Sequence, residues 1–220
     1  LKINYMKKFT AVICVLLFGI AGNISGQDAK AKAILDELSS KTRKYASITS
    51  NFVFTLEDKA ADVSQSQEGT LKMDGKMYYI KLGDNHIYSD GATRWTYGED
   101  TNEVLVDHAN AGEDALNPSE IYTVWETGFK HYYEKEVTET GKAMHLIKLN
   151  PVKPAEKAYH TVQLYIDKSK MELSRIVILG KQGDNYTYDV KTFVTDKTYT
   201  TADFTFSKAK YPGVEVIDNR

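Results

Sequence analysis

Five histidines, at positions 86, 108, 131, 145 and 160, are the side chains best suited to proton transfer near neutral pH, and they are scattered along 220 residues. None belongs to a nucleophile or metal motif: the chain has no G-x-S-x-G, no H-E-x-x-H and no glycine-rich phosphate loop. A hydrolase needs a nucleophile, a base and an orienting group brought together, and nothing in the spacing proposes such a trio. Carboxylates are plentiful but fall on turns and polar faces, with Asp90 ahead of Gly91 and Glu99-Asp100 behind Gly98. His86 and His160 stand at strand starts, where a solvated or hydrogen-bonded role is expected. The sequence therefore reads as a binding protein, not an enzyme, with no cofactor and no metal.

What it offers for binding is an apolar surface on strands. The stretch Asn85–Val106 reads as three short strands joined by the turns at Asp90-Gly91 and Gly98–Asn102. Upstream, Ile48, Ser50, Phe52, Phe54 and Leu56 recur at a period of two, and the turns Asp74-Gly75 and Gly83-Asp84 separate further strands. Phe52, Phe54, Leu71, Met73, Tyr78, Ile80, Trp95, Tyr97, Val104 and Val106 are expected to share one concave face and to line an apolar cavity. Pockets of this kind are mainly hydrophobic and aromatic with few polar groups. A filled core made of the same residues would give the same pattern.

The flanking elements fit that picture. Asp28–Lys44 is predicted to be a helix, with Ala31, Ile34, Leu35, Leu38 and Thr42 on one face. His108–Asn117 reads as a loop, and Pro118 opens a short aromatic helix ended by Gly128. Its Ile121, Tyr122 and Trp125 are expected to act as a lid over the cavity or as ordinary core. Strands follow at His131–Thr138, Ala143–Asn150, His160–Asp167, Leu173–Gly180, Asn185–Thr195 and Phe204–Ser207. Glu57–Ser66 is read as a polar tip. Ten or eleven strands at this spacing indicate a continuing antiparallel meander, and no internal repeat stands out.

At the N-terminus, Lys7-Lys8 followed by the apolar run Phe9–Ala21 and then Gly22, Asn23, Ser25 and Gly26 reads as a signal peptide. The expected organisation is a cleaved segment 1–26, with Leu1–Tyr5 upstream of the initiator Met6, followed by one domain over 27–220. Cys14, the only cysteine, lies inside that segment and follows Ile13, which does not suit lipidation. The exported part then lacks disulfides, thiol chemistry and cysteine metal sites. Three of the 28 basic residues and none of the 30 acidic ones lie in the segment, so the remainder is more acidic than the net −2 of the whole chain. Without a basic stripe, nucleic acid is not expected as a partner.

The order of motifs resembles the periplasmic outer-membrane lipoprotein carrier family, LolA. The residues that carry the resemblance are Glu68–Met73 (EGTLKM), Ser89–Tyr97 (SDGATRWTY), Asn102–Val104 (NEV), Ala202–Ser207 (ADFTFS) and Tyr211–Asp218 (YPGVEVID). The resemblance implies an unclosed antiparallel β-barrel of about eleven strands whose concave face is covered by helices. It implies a periplasmic shuttle that takes acylated lipoproteins from an inner-membrane ABC lipoprotein-releasing complex to an outer-membrane acceptor, and a monomer is the default for a shuttle. One departure stands out. Where the family has an Arg-Pro pair that holds the lid, this chain has Asp74-Gly75-Lys76, and Lys76 lacks the planar fork of a guanidinium. Arg94 is set aside because its parity places it opposite Trp95. The alternatives are a periplasmic binder of other lipids, or a non-enzymatic sensor or scaffold on the same half-barrel.

Overall fold

From Ser47 the sequence takes a polar-apolar period of two, which converts the chain from helix to sheet. The structure is a computed structural model that describes residues 24–58, 61–109 and 124–220, the side chains of 24–28 and of 124 excepted. Twelve strands form one sheet: β1 (Ser47–Asp58), β2 (Val63–Asp74), β3 (Met77–Leu82), β4 (Asn85–Ser89), β5 (Thr93–Gly98), β6 (Glu103–His108), β7 (Phe129–Glu139), β8 (Lys142–Pro151), β9 (Tyr159–Asp167), β10 (Glu172–Gly180), β11 (Asp184–Thr195) and β12 (Glu215–Asp218). The spatial order is β12-β6-β5-β4-β3-β2-β1-β11-β10-β9-β8-β7, so the terminal strands β12 and β7 do not pair and the curved sheet stays unclosed. All pairings are antiparallel except that of β12 with β6.

Turn chemistry explains the meander. Asp74 pairs with Met77 and Leu82 with Asn85, which leaves two-residue loops at Gly75-Lys76 and Gly83-Asp84. Both glycines take positive φ, +58° and +56°, a region that β-carbons disfavour. At the β4–β5 turn the Asp90 carboxylate accepts from the backbone N–H groups of Ala92 (2.9 Å) and Thr93 (2.8 Å).

The helix α1 (Ile24–Thr42) lies on the concave face nearest β7. Ala31, Ile34, Leu35 and Leu38 are buried, as their spacing predicts, against Ile147, Leu149, Val162, Leu164 and Ile166 of β8 and β9. Trp125, in the 3-10 turn Val124–Glu126, completes that core, and its Nε1–H donates to Ser39 Oγ on α1 at 3.0 Å.

Several boundaries differ from the sequence reading. The polar tip is shorter than Glu57–Ser66, because β1 continues to Asp58 and β2 begins at Val63. Phe204–Ser207 is not a strand; it follows the 3-10 turn Thr201–Asp203, whose Asp203 carboxylate accepts from the Thr200 N–H and hydroxyl. The twelfth strand instead forms at Glu215–Asp218 by pairing with β6. The predicted signal segment falls outside the described residues up to position 23, and α1 begins at Ile24. Ile121 and Tyr122 also lie outside the described residues.

Candidate functional site: an apolar cavity on the concave face

Cross-strand register fixes which side chains share the concave face. Opposed residues point the same way, so one row runs Leu105, Thr96, Ile87, Ile80, Leu71 and Ser50 across β6 to β1. The next runs Gly98, Asn85, Leu82, Gly69 and Phe52. From the other half, Leu173, Ile176 and Ile178 of β10 and Tyr188 and Val190 of β11 face them. Together these walls enclose about 420 Å³. Of the lining side chains only Ser50, Asn85, Thr96 and the Tyr188 hydroxyl are polar, and none carries a charge. Burial pushes the Tyr188 phenol up, so it remains a neutral group at the wall.

Phe52, Leu71 and Ile80 stand on the wall as the alternation predicts. Met73 and Tyr78 lie one row further along the same face, packed into the core. Phe54 follows Phe52 on that face but packs against Tyr186 and Tyr188, with ring centroids 6.2 and 5.1 Å away, beyond the cavity. Trp125 is fully buried beside α1 and is not part of this wall.

Trp95, Tyr97, Val104 and Val106 are on the opposite, convex face. Thr96 opposes Ile87 and Trp95 opposes Tyr88, which places the aromatic parity of β5 outward. The cause is a second layer: residues 196–218 cross the convex side from the end of β11 to β12. Tyr199 bonds Thr49 of β1, and Tyr211 stacks on Phe206 (5.0 Å) and lies 4.2 Å from Tyr97. Val104 and Val214 close this smaller core. Both faces of β3–β6 are therefore covered, so apolar residues occupy both parities and alternation alone does not say which face holds the cavity.

Leu82, Asn85, Ile87, Thr96, Leu173, Ile176, Ile178, Tyr188 and Val190 also line the cavity but were not singled out in the sequence. For Ile87 and Thr96 the two-residue loop and the Asp90 turn carry the signal, because hairpin register aligns them with Ile80. For β10 no such signal exists: a register shift between Leu173 and Arg175 breaks its alternation.

A histidine–carboxylate pair with a tyrosine beside it sits away from the cavity. His86 Nε2 meets Glu99, and its Nδ1 meets the Tyr79 hydroxyl at 2.9 Å, on the convex face under Tyr211. Hydrogen bonds from His86 and Lys81 hold the Glu99 carboxyl below its usual range. The His86 ring lies edge-on to that of Tyr211, with centroids 6.4 Å apart, and so braces the second layer. Among the described residues, no three His, Cys, Asp or Glu side chains converge as a metal site. Among them also, no helix is long and apolar enough to cross a membrane.

The fold and its hollow define a half-barrel protein with an internal, uncharged apolar cavity. Residues 23–182 match the family model described as outer membrane lipoprotein carrier protein LolA, and the chain belongs to that family. Among solved structures it is similar to an uncharacterized conserved protein from Thermus thermophilus, at TM-score 0.56 and 14% identity, covering 86% of this chain and 99% of that one. It is also similar to a putative outer membrane lipoprotein-sorting protein domain from Vibrio parahaemolyticus (TM-score 0.48, 11% identity, 81% and 97% covered). LprF from Mycobacterium bovis gives TM-score 0.48, with 13% identity and 79% and 96% covered. At these identities the Thermus likeness is one of fold. No protein of curated function matches the chain.

Proposed function

We propose that this protein is an exported, non-enzymatic carrier that shields the acyl chains of lipoproteins in its concave cavity. The observation that carries the reading is the wall itself: about 420 Å³ bounded mainly by aliphatic and aromatic side chains with no charge among them. Each methylene moved from water into such a space contributes about 0.8 kcal/mol, so an acyl chain is held without specific hydrogen bonds. Family membership supports the same reading, and so does a segment 1–26 of signal-peptide character ahead of a single domain over 27–220. In this reading the protein is periplasmic, receives acylated lipoproteins from an inner-membrane ABC complex and delivers them to an outer-membrane acceptor.

A second reading, a carrier of single-chain lipids, is favoured by the size of the cavity. At about 420 Å³ the hollow is at the lower end of ligand-sized pockets, a scale that suits one acyl chain better than several. Native mass spectrometry of the protein recovered gently from its own periplasm separates the readings. A mass increment of an acylated lipoprotein supports the first, and a bound free lipid supports the second. In the same assay Phe52→Glu, which places a carboxylate on the wall, is expected to abolish loading while the domain still melts cooperatively. Loading that survives Phe52→Glu would remove the cavity from consideration.

A further inference from the structure

The cavity is uncharged, but the row of side chains beside it is not. Asp107, Arg94, Ser89 and Tyr78 oppose one another across β6, β5, β4 and β3 on the concave face. Each stands two residues along its strand from a member of the row that contains Thr96, Ile87 and Ile80, roughly 7 Å away at the usual rise. Arginine side chains reach that far. With Trp95 turned to the convex side, the parity that sets Arg94 opposite it places Arg94 on the cavity side.

Arg94 is also under-used. Its Nε is buried and has no hydrogen-bond partner, and it is the buried side-chain nitrogen or oxygen so left among the described residues. Its Nη2 meets Asp107 Oδ2 at 3.4 Å, a long contact, while the other oxygen of Asp107 accepts from Asn219 Nδ2 at 3.3 Å. A guanidinium carries five donors in a planar fork matched to carboxylate and phosphate. A buried N–H without a partner is the state that a native protein most avoids, and a ligand oxygen relieves it. Tyr78 and Ser89 next to it are buried, and Ser89 Oγ accepts from the Gly91 N–H at 3.3 Å. Burial pushes the Tyr78 phenol up, so it stays a donor.

We propose that Arg94 is the anchor for the head group of a single-chain anionic amphiphile, a carboxylate or phosphate on one acyl or alkyl chain, whose tail fills the cavity. This rests on the reading that the cavity takes acyl chains, and it adds polarity and orientation: the head lies by Arg94 and Tyr78, and the tail runs over Ile87 and Ile80 towards β10. A neutral head of equal tail length offers Nε only an uncharged acceptor and binds less tightly.

The test compares hexadecanoate, hexadecyl phosphate and hexadecanol by titration calorimetry against the wild-type chain and Arg94→Gln. At least one anion is expected to bind wild type about tenfold or more tightly than the alcohol, the scale of one charge-assisted hydrogen bond. Arg94→Gln is expected to erase that gap by weakening the anion far more than the alcohol. Preference for the carboxylate identifies fatty acids as the source of the head group, and preference for the phosphate identifies lysophosphatidic-type lipids. Equal binding of all three probes by wild type overturns the anchor while leaving the acyl cavity standing. A uniform loss of all three in a folded Arg94→Gln overturns the anchor too. If no probe binds, the acyl reading falls and the anchor with it. Should Arg94→Gln fail to fold, the wild-type gap still decides, together with Arg94→Lys, which keeps the charge without the fork and is expected to narrow the gap.

Discussion

The ring of Phe52 lies across Gly69 so closely that a β-carbon at position 69 would fall 2.3 Å from its Cζ and 2.5 Å from Cε2. The two residues oppose each other across β1 and β2, and Phe52 lines the cavity. The bare backbone of Gly69 is thus what lets an aromatic ring lie flat against the wall and leave the hollow open. Gly69→Ala is expected to push the ring into the cavity. Overpacking of this sort costs about 1–3 kcal/mol of stability, and the affinity for a fluorescent fatty-acid probe should fall several-fold. A probe titration with a urea melt checks both; undiminished affinity would mean that the ring moves elsewhere.

The Trp125 indole and the Ser39 hydroxyl meet at 3.0 Å in a site where both residues are almost fully buried. Ser39→Ala leaves the indole N–H buried without a partner, at a cost of about 1–3 kcal/mol. Trp125→Phe alone should also destabilise, through lost packing. The double variant is expected to lose less than the two single losses combined, because the pair acts as a unit. Strict additivity in chemical denaturation would show that the hydrogen bond contributes nothing.

Tyr211 offers the converse test, since it belongs to the convex layer. Its hydroxyl meets that of Tyr88 at 2.7 Å, and its ring packs on Phe206 and Tyr97. Tyr211→Ala should cost roughly 2–5 kcal/mol, as large-to-small core substitutions do, with fatty-acid affinity unchanged. A selective loss of affinity in a stable Tyr211→Ala protein would contradict the assignment of the two faces.

His145 makes stability depend on pH. Burial is the main cause that holds it below its ordinary 6.5; Lys168 and Lys30 push the same way, against Glu136 and Glu37. Its Nδ1 faces the Tyr133 hydroxyl at 3.2 Å. A group with a depressed folded value takes up its proton first in the unfolded chain. Its contribution is therefore complete above the ordinary value and is lost as pH falls from there through the folded one. His145→Gln is expected to flatten the decline of stability in that window, measured by denaturant midpoints across pH. An unchanged slope would assign the decline to other groups.

The faces of β5 show how far the sequence reaches. Arg94-Trp95-Thr96-Tyr97 alternates, and alternation alone establishes that Trp95 and Tyr97 share one side and Arg94 and Thr96 the other. Where one face is wet, hydrophobicity then names the inside. Here residues 196–218 cover the convex side, so both sides are dry, and the more aromatic parity belongs to the smaller core. Ile87 and Thr96, less conspicuous, line the larger hollow.

By itself the sequence determined what is local. The stripe Ala31, Ile34, Leu35 and Leu38 made α1, and glycines able to hold positive φ at 75 and 83 set the two-residue loops, with the Asp90 carboxylate shaping the next turn. The period of two then made a meander. Only the tertiary structure decided which face of that meander is hollow, that β12 joins β6 in parallel, and that a guanidinium lies beside the apolar wall. The physical reason is range. Turn chemistry and periodicity act within a few residues, whereas the cavity exists only because β1 pairs with β11, more than a hundred residues along the chain, and curls the two halves of the sheet towards one another.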